Sequence, residues 1–382
     1  MKMEYRFATG FIINRLLVIS LLFILPAGII FAQGNTHQAS EQPRQVEIAG
    51  TQVLNITSSI VGQEYVLYIN LPREYKDTTK TFPVLFLIDA QWDFPLVQAM
   101  YGEQYYDGFI PGIIIVGITW GGEHPDYDKL RARDLTPTDI SHNGQFGNAP
   151  KFLSFIKKEL VPFIESKFRT RKNDRALMGS SFGGLFTLYA LFNETELFNR
   201  YILTSPSSGW DNGITYSYEK KYAEKKSELP AKVFMAIGEY EGVNDFQKFV
   251  EQVKGRNYKN LEIQSRVLEG MGHSGGKAEG YTRGLQFVYA RTSISVHPAV
   301  LDQYIGQYEI NPEFKIKVLR ENEHLVAIAP DSTKIIVSAE TEKDFYIKGQ
   351  YLYIHFMKDT AGKVTGFQME RYEGESFIKK ID

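Results

Sequence analysis

Two stretches, FPVLFLID (82–89) and GIIIVGIT (112–119), are unbroken apolar runs of strand length with turn residues at their ends. A strand with one face in water alternates apolar and polar residues, whereas one that is apolar throughout has to be covered on both faces. Such strands belong in a mainly parallel sheet between layers of helices. RALMG (175–179), RYILTS (200–205), KVFMAIG (232–238) and LEIQSRVLEG (261–270) continue the series, preceded by a clear strand pattern in EYVLYINLP (64–72). Helical stretches lie between them. In NAPKFLSFIKKELVPFIESKF (148–168), Phe152, Ile156, Leu160, Phe163 and Ile164 fall at helical spacing, and Pro162 predicts a kink. Strands alternating with helices predict an α/β layer fold over residues 44–293.

After about residue 293 the pattern becomes one of alternating strands, from YIGQYEI to GFQMERYEG, with turn pairs such as Glu321-Asn322 and Ala361-Gly362. This predicts a small antiparallel β domain over 298–382, joined through TSISVHPAV. Its aromatic residues Tyr304, Tyr308, Phe345, Tyr351 and Tyr353 are expected to be core. The α/β part is expected to stand without it, leaving the β domain to docking, oligomerisation or cleft covering.

At the other end, Lys2, Arg6 and Arg15 precede an apolar run from Leu16 to Phe31 that closes on small residues near Ala32. That pattern predicts a secretory signal peptide over 1–33, and hence an exported, periplasmic or secreted protein. The run is shorter than the ~20 residues of a spanning helix, so no stable membrane span is expected after processing. The chain has no cysteine, which excludes disulfides, thiolate metal sites and a cysteine nucleophile. Without residues 1–32 the formal charge is −4, three basic groups and one acidic group having been removed, so no basic field for nucleic acid remains. No metal or organic cofactor is indicated, because candidate ligands do not cluster at recognised spacings.

The pattern G-x-S-x-G, which in some folds exposes a nucleophilic serine on a sharp turn, occurs twice. One match is Gly179-Ser180-Ser181-Phe182-Gly183 and the other is Gly272-His273-Ser274-Gly275-Gly276. Chain order separates them. In the α/β-hydrolase arrangement the triad runs Ser, Asp or Glu, His. With Ser274 as nucleophile the histidine would have to be His297, His324 or His355, in the connection or the β domain. With Ser181, the turn after KVFMAIG supplies Glu241 and the turn after the next strand supplies His273, each at a strand's C-terminal end, where open α/β sheets place their sites. Serine needs an imidazole to accept its proton, and the imidazole needs a carboxylate to fix its tautomer. Ser181, His273 and Glu241 fit these roles. Glu239 and Asp245 follow the same strand, but Glu241, third after Gly238, takes the usual place of the acid. Two N–H donors for the oxyanion are expected from the backbones of Phe182 and Gln91.

FPVLFLIDAQW, RARDLTP (131–137), KFLSFIKKELVPFIESKF, MGSSFGGLFTLYALF and LTSPSSGW (203–210) together resemble the esterase family of α/β hydrolases that includes esterase D, feruloyl and acetylxylan esterases and the enterochelin (siderophore) esterases. The likeness covers about 45–292 and is closest to the enterochelin-esterase-like branch, on RARDLTP and SPSSGW. It implies an α/β-hydrolase fold, with Ser181 matching the family's nucleophile and His273 its histidine; Glu241 stands where many relatives carry Asp. YIGQYEI and GKVTGFQMER are similar to the small domain appended to some penicillin-binding-protein-like and other secreted hydrolases.

Trp120, Arg131 and Trp210 are candidates for binding substrate, against core or surface ion-pair roles for the same residues. The leading function class is a secreted serine carboxylic ester hydrolase with an acyl-enzyme intermediate, acting on a siderophore-type, feruloyl or acetyl-polysaccharide, or simple acyl ester. An acyltransferase of the same fold and a non-catalytic binding protein are the alternatives; product analysis with an alcohol acceptor separates the first, and failure of a fluorophosphonate probe to label favours the second.

Overall fold

The computed structural model describes residues 47–382, and the segment expected as a signal peptide lies outside them. Two antiparallel strands come first, β1 (Thr51–Ser58) and β2 (Gln63–Asn70). Then follow β3 (Phe82–Leu87), α1 (Ala90–Tyr106), β4 (Ile114–Trp120), α2 (Tyr127–Leu135), α3 (Ala149–Phe155) and α4 (Val161–Lys167). The α/β part continues with β5 (Thr170–Ser180), α5 (Phe182–Asn193), β6 (Arg200–Thr204), α6 (Trp210–Ala223), β7 (Glu228–Gly238), α7 (Val243–Gly255), β8 (Lys259–Leu268) and α8 (Lys277–Val288).

The eight strands form one sheet in the order β1-β2-β4-β3-β5-β6-β7-β8. From β4 onward neighbouring strands are parallel, while β2 runs antiparallel to both β1 and β4. With helices on both faces this is an α/β-hydrolase fold. Every residue of β3 and β4 is buried, as their unbroken apolar runs require. Because side chains alternate along a strand, Val84 and Phe86 enter one core with Phe152 and Phe186, while Leu85 and Leu87 enter the other with Phe94 and Tyr281.

The kink expected at Pro162 takes the form of a π-helical turn, Ile156–Leu160, between α3 and α4. Proline has no N–H for the carbonyl four residues back, so the ladder slips and the Val161 N–H reaches back to the Ile156 carbonyl.

The C-terminal part begins with the short helix α9 (Pro298–Leu301) and closes eight antiparallel strands, β9 (Gly306–Asn311) to β16 (Gly374–Lys380), into a barrel. Closure leaves no free edge for strand addition. Tyr304, Tyr308, Phe345, Phe356 and Phe367 fill the interior, with the Tyr304 and Phe356 rings stacked at 4.0 Å. Tyr351 and Tyr353 behave differently: they pack into the α/β part, in the core that holds Tyr101 and Tyr105. The Tyr105 and Tyr351 hydroxyls are 3.1 Å apart. The barrel therefore shares a core with the α/β part.

The docking face is far from the strands' C-terminal ends. Helix α1 leaves that edge at Ala90 and over 17 residues descends about 25 Å to Tyr106, where the chain turns to enter β4 at its N-terminal end. A barrel seated on Tyr105 and Phe109 lies against the sheet's N-terminal edge. No helix among the described residues is long and apolar enough to cross a membrane.

Candidate active site

Strands β5, β6, β7 and β8 are consecutive neighbours, and the residues just beyond their C-terminal ends line up on one edge of the sheet. Ser181 follows β5, Ser205 follows β6, Glu241 lies on the turn after β7, and His273 on the turn after β8. Neighbouring strands are about 4.8 Å apart, so residues on adjacent turns can reach one another: Ser205 meets Glu241, and Glu241 meets His273.

Ser181 has φ 59° and ψ −120°, a left-side conformation that a serine adopts only under constraint. Its N–H donates to the Thr204 carbonyl at 3.2 Å, and its own carbonyl accepts from Leu185 and Ser207. The turn needs a glycine before it. A Cβ on Gly179 would lie 2.6 Å from the carbonyl group of Gly183, so strand and helix approach more closely than any side chain allows. Ser274 has no positive φ; it lies exposed in a turn whose carbonyl at 274 accepts from Lys277. The two G-x-S-x-G matches thus have different backbones, and only that of Ser181 is the strained strand-to-helix turn.

His273 Nδ1 is 2.6 Å from Glu241 Oε2. The other carboxylate oxygen accepts from Ser205 Oγ at 2.6 Å and from the Gly238 N–H at 2.8 Å. Burial alone would raise the Glu241 carboxyl, but the donors Ser205, His273 and Gly238 together hold it below the ordinary carboxylate range. It is therefore ionised at neutral pH, as the partner of an imidazole must be. The turn itself is pinned, with the Glu239 N–H on the Leu268 carbonyl and the Tyr240 N–H on the Met271 carbonyl. Glu239 points away, accepting the Gly270 N–H at 2.7 Å, and Asp245 lies exposed on α7 beside Lys248.

The first two N–H groups of α1, those of Ala90 and Gln91, have no acceptor within the helix, nor has that of Phe182 at the start of α5. The two helix starts adjoin: a Cβ on Gly183 would lie 3.3 Å from Ile88 Cγ2 and 3.4 Å from Asp89 Oδ2. The Ile88 N–H is held by the Met178 carbonyl at 2.9 Å, three residues before Ser181. Both N-termini thus present free donors and the positive ends of helix dipoles beside the serine.

The three substrate-binding candidates fare differently. Trp120 is only 2% exposed, and its indole N–H donates to Asp134 Oδ2 at 2.8 Å. It is a core residue; a tryptophan at a strand's end reads from sequence as a cleft residue, but Asp134, completely buried, draws it inward together with Tyr65 and Arg133. Arg131 makes a two-bond ion pair with Asp89, Nε to Oδ1 at 3.0 Å and Nη2 to Oδ2 at 2.8 Å. Its guanidinium also lies over the rings of Trp92 and Phe182. It lines the site with its charge already committed. Trp210 stands edge-on to Phe182, with ring centres 5.2 Å apart, and touches Phe146 on its other side. Phe146, Trp210, Phe182, Trp92 and Tyr127 make an aromatic rim beside Ser181.

Ser205, absent from the residues singled out in the sequence, is the third support of Glu241. The signal was present in the SPSSGW segment, but nothing in the sequence tells which of its serines turns toward the acid.

Residues 58–273, more than half of the chain, match the model of the esterase family described as "Putative esterase". The chain belongs to this esterase family. Among curated relatives, the siderophore triacetylfusarinine C esterase of Aspergillus fumigatus is 30% identical over 43% of this chain and 59% of its own length. The siderophore enterobactin esterase of Emericella nidulans is 34% identical over 26% of this chain and 38% of its own. The chain thus spans less than two thirds of the length of either relative. Among solved structures, the BES protein from Bacillus cereus is 25% identical with TM-score 0.60, covering 65% of this chain and 98% of that protein. An IroE-like serine hydrolase from Shewanella oneidensis is 26% identical with TM-score 0.54, covering 63% and 80%.

Proposed function

We propose that this esterase is an exported serine carboxylic ester hydrolase that works through Ser181, His273 and Glu241. The observation that carries the reading is the row of strand-end residues in which the strained Ser181 and the His273–Glu241 pair, at 2.6 Å, share one edge of the sheet. His273 Nε2 takes the proton of Ser181 Oγ as the oxygen attacks the ester carbonyl. Glu241 orients the ring and stabilises the imidazolium. The N–H groups of Phe182 and Gln91 receive the oxyanion. Return of the proton from His273 to the leaving alkoxide yields an acyl-enzyme, which water, activated by the same imidazole, hydrolyses. Residues 44–293 carry this chemistry, the barrel over 298–382 buttresses it, and residues 1–33 direct export.

For the substrate, the names of the relatives favour a siderophore-type ester, and the aromatic rim suits an acyl group with planar rings. Initial rates on an aryl acetate, methyl ferulate, acetylated xylan and a catecholate trilactone test this. The trilactone is expected to show the highest kcat/KM. A higher value on acetylated xylan or ferulate would move the enzyme to the polysaccharide esterases.

Two substitutions test the acid. Glu241→Gln is expected to lower kcat by about a hundredfold or more, ~2.7 kcal/mol of barrier, with residual catalysis from the oxyanion donors. Glu239→Gln and Asp245→Asn should change it little; a larger loss from Glu239→Gln in folded protein would place the acid two residues earlier. Ser205→Ala removes one of three donors to Glu241 and is expected to cost roughly three- to tenfold in kcat with KM unchanged, about 1 kcal/mol. An unaltered kcat for Ser205→Ala would show that the other two donors suffice.

A further inference from the structure

Asp89 and Asp93 stand one helical turn apart at the start of α1, and each is only 2% exposed. Each meets a cation, from opposite sides. Arg131 comes from α2 to Asp89, and Lys277 from α8 to Asp93, Nζ to Oδ1 at 2.8 Å. Tyr281, one turn further along α8, donates its hydroxyl to the other oxygen of Asp93 at 2.8 Å. Burial, with the Asp93 carboxylate beside it, pushes the Tyr281 phenol well up, so it remains a donor. Gln91, whose N–H faces the oxyanion in the reading above, lies between the two acids in the chain.

Lys277 is also part of the turn that carries His273. The Gly276 N–H donates to the Gly272 carbonyl and the Lys277 N–H to that of Ser274, so histidine and lysine lie on one hydrogen-bonded turn running into α8. Helix α8 is in turn seated on β6, the strand beside the one that ends at the serine. A Cβ on Gly280 would lie 2.4 Å from Thr204 Cγ2, and the Thr204 carbonyl is the acceptor of the Ser181 N–H.

We propose that Asp93, Lys277 and Tyr281 form a positioning cluster that ties the histidine turn to the oxyanion turn, with Lys277 also offsetting the Asp93 charge beneath the oxyanion donors. The proposal rests on the catalytic reading of Ser181, His273 and Gln91. The three act through Gln91 and His273 and not on the substrate itself. Their effect has two parts, a geometric one through the tether and an electrostatic one. Because the two residues carry opposite charges, substitution separates these parts. Lys277→Met breaks the tether and leaves a bare anion two residues from an oxyanion donor. Asp93→Asn breaks the ion pair but removes the anion, and the double variant is electrically neutral.

The test uses the full chain and measures kcat and KM on an aryl acetate, the rate of fluorophosphonate labelling, and thermal melting. Lys277→Met is expected to lower kcat and the labelling rate by about ten- to a hundredfold with KM within about twofold, as misplaced catalytic groups do. Lys277→Arg should restore most of the loss. Asp93→Asn should lose no more than about fivefold, and the double variant should recover at least about fivefold over Lys277→Met. Equal losses in both single variants with no recovery in the double would overturn the electrostatic part and reduce the cluster to a structural anchor. Wild-type kcat in every folded variant would overturn the whole proposal. Should Lys277→Met fail to fold, Lys277→Arg and the neutral double variant carry the same comparison against Asp93→Asn. If wild-type enzyme is not labelled at Ser181, the catalytic reading itself fails; normal wild-type labelling with unaffected variants rejects the cluster alone.

Discussion

Ser181→Ala is expected to abolish ester turnover, by roughly 10⁴-fold or more, and to abolish fluorophosphonate labelling, while Ser274→Ala keeps most of both. The two serines sit in the same five-residue pattern, so the contrast tests what the backbone does with that pattern. At Ser181 the positive φ, the close approach of Gly179 to Gly183 and the adjoining starts of α1 and α5 bring a hydroxyl next to free N–H donors. At Ser274 none of this holds: the residue is exposed, and the turn around it serves to place His273 against Glu241. Loss of Ser274 removes a hydroxyl without altering the Glu241–His273 contact, so some change through the flexibility of the turn is the most it should bring. An adduct mapped by mass spectrometry to Ser274, or equal loss from both changes in folded protein, would overturn the assignment.

Much of this architecture is legible in the sequence because burial on both faces of a sheet leaves no freedom of composition. FPVLFLID and GIIIVGIT could be read as central strands for that reason, and the chain order of Ser181, Glu241 and His273 follows from which strand each one ends. The supports of the site are another matter. Asp89 and Arg131 are 42 residues apart, Asp93 and Lys277 184, and Ser205 and Glu241 36. Such pairs exist only once the sheet order is known, and a charged residue near a turn looks the same whether it ends in water or in a buried pair. Trp120 shows the reverse error, an aromatic residue at a strand's end that reads as cleft and is core because Asp134 accepts its N–H. The barrel's tyrosines carry a similar ambiguity. Alternation marks Tyr304 and Tyr351 alike as buried, but not that the first faces the barrel interior and the second a different part of the chain.

That second tyrosine bears on what the barrel does. Removing residues 295–382 is expected to lower the melting temperature of the α/β part by more than about 10 °C, or to make it insoluble, while leaving the chemistry of any folded fraction near normal. The core around Tyr101 and Tyr105 would lose Tyr351 and Tyr353. Arg291 would lose the rings of Tyr346 and Tyr353 on which it lies, at 4.6 and 4.1 Å, and its partner Glu340. Each buried aromatic side chain is worth about 1.5–3 kcal/mol, so two or three together approach 5 kcal/mol, a large part of a stability of roughly 5–15 kcal/mol. At about 2–4 °C per kcal/mol for a part of this size, the expected shift is about 10–20 °C. Catalysis should survive in whatever stays folded, since the lost contacts lie at the end of α1 remote from Gln91 and Ser181. A gentler version changes one residue. Gly108 has φ +69°, and a Cβ there would lie 2.1 Å from the Gln350 carbonyl oxygen, so Gly108→Ala forces the docked barrel away from its seat. It should lower the melting temperature in the same sense, by less, with kcat/KM on an aryl acetate unchanged at low temperature. A truncated chain that melts like the full one would show that these contacts contribute nothing to stability. A truncation that instead altered selectivity between small and bulky esters would bring the barrel to the substrate's side, against its position at the N-terminal edge of the sheet.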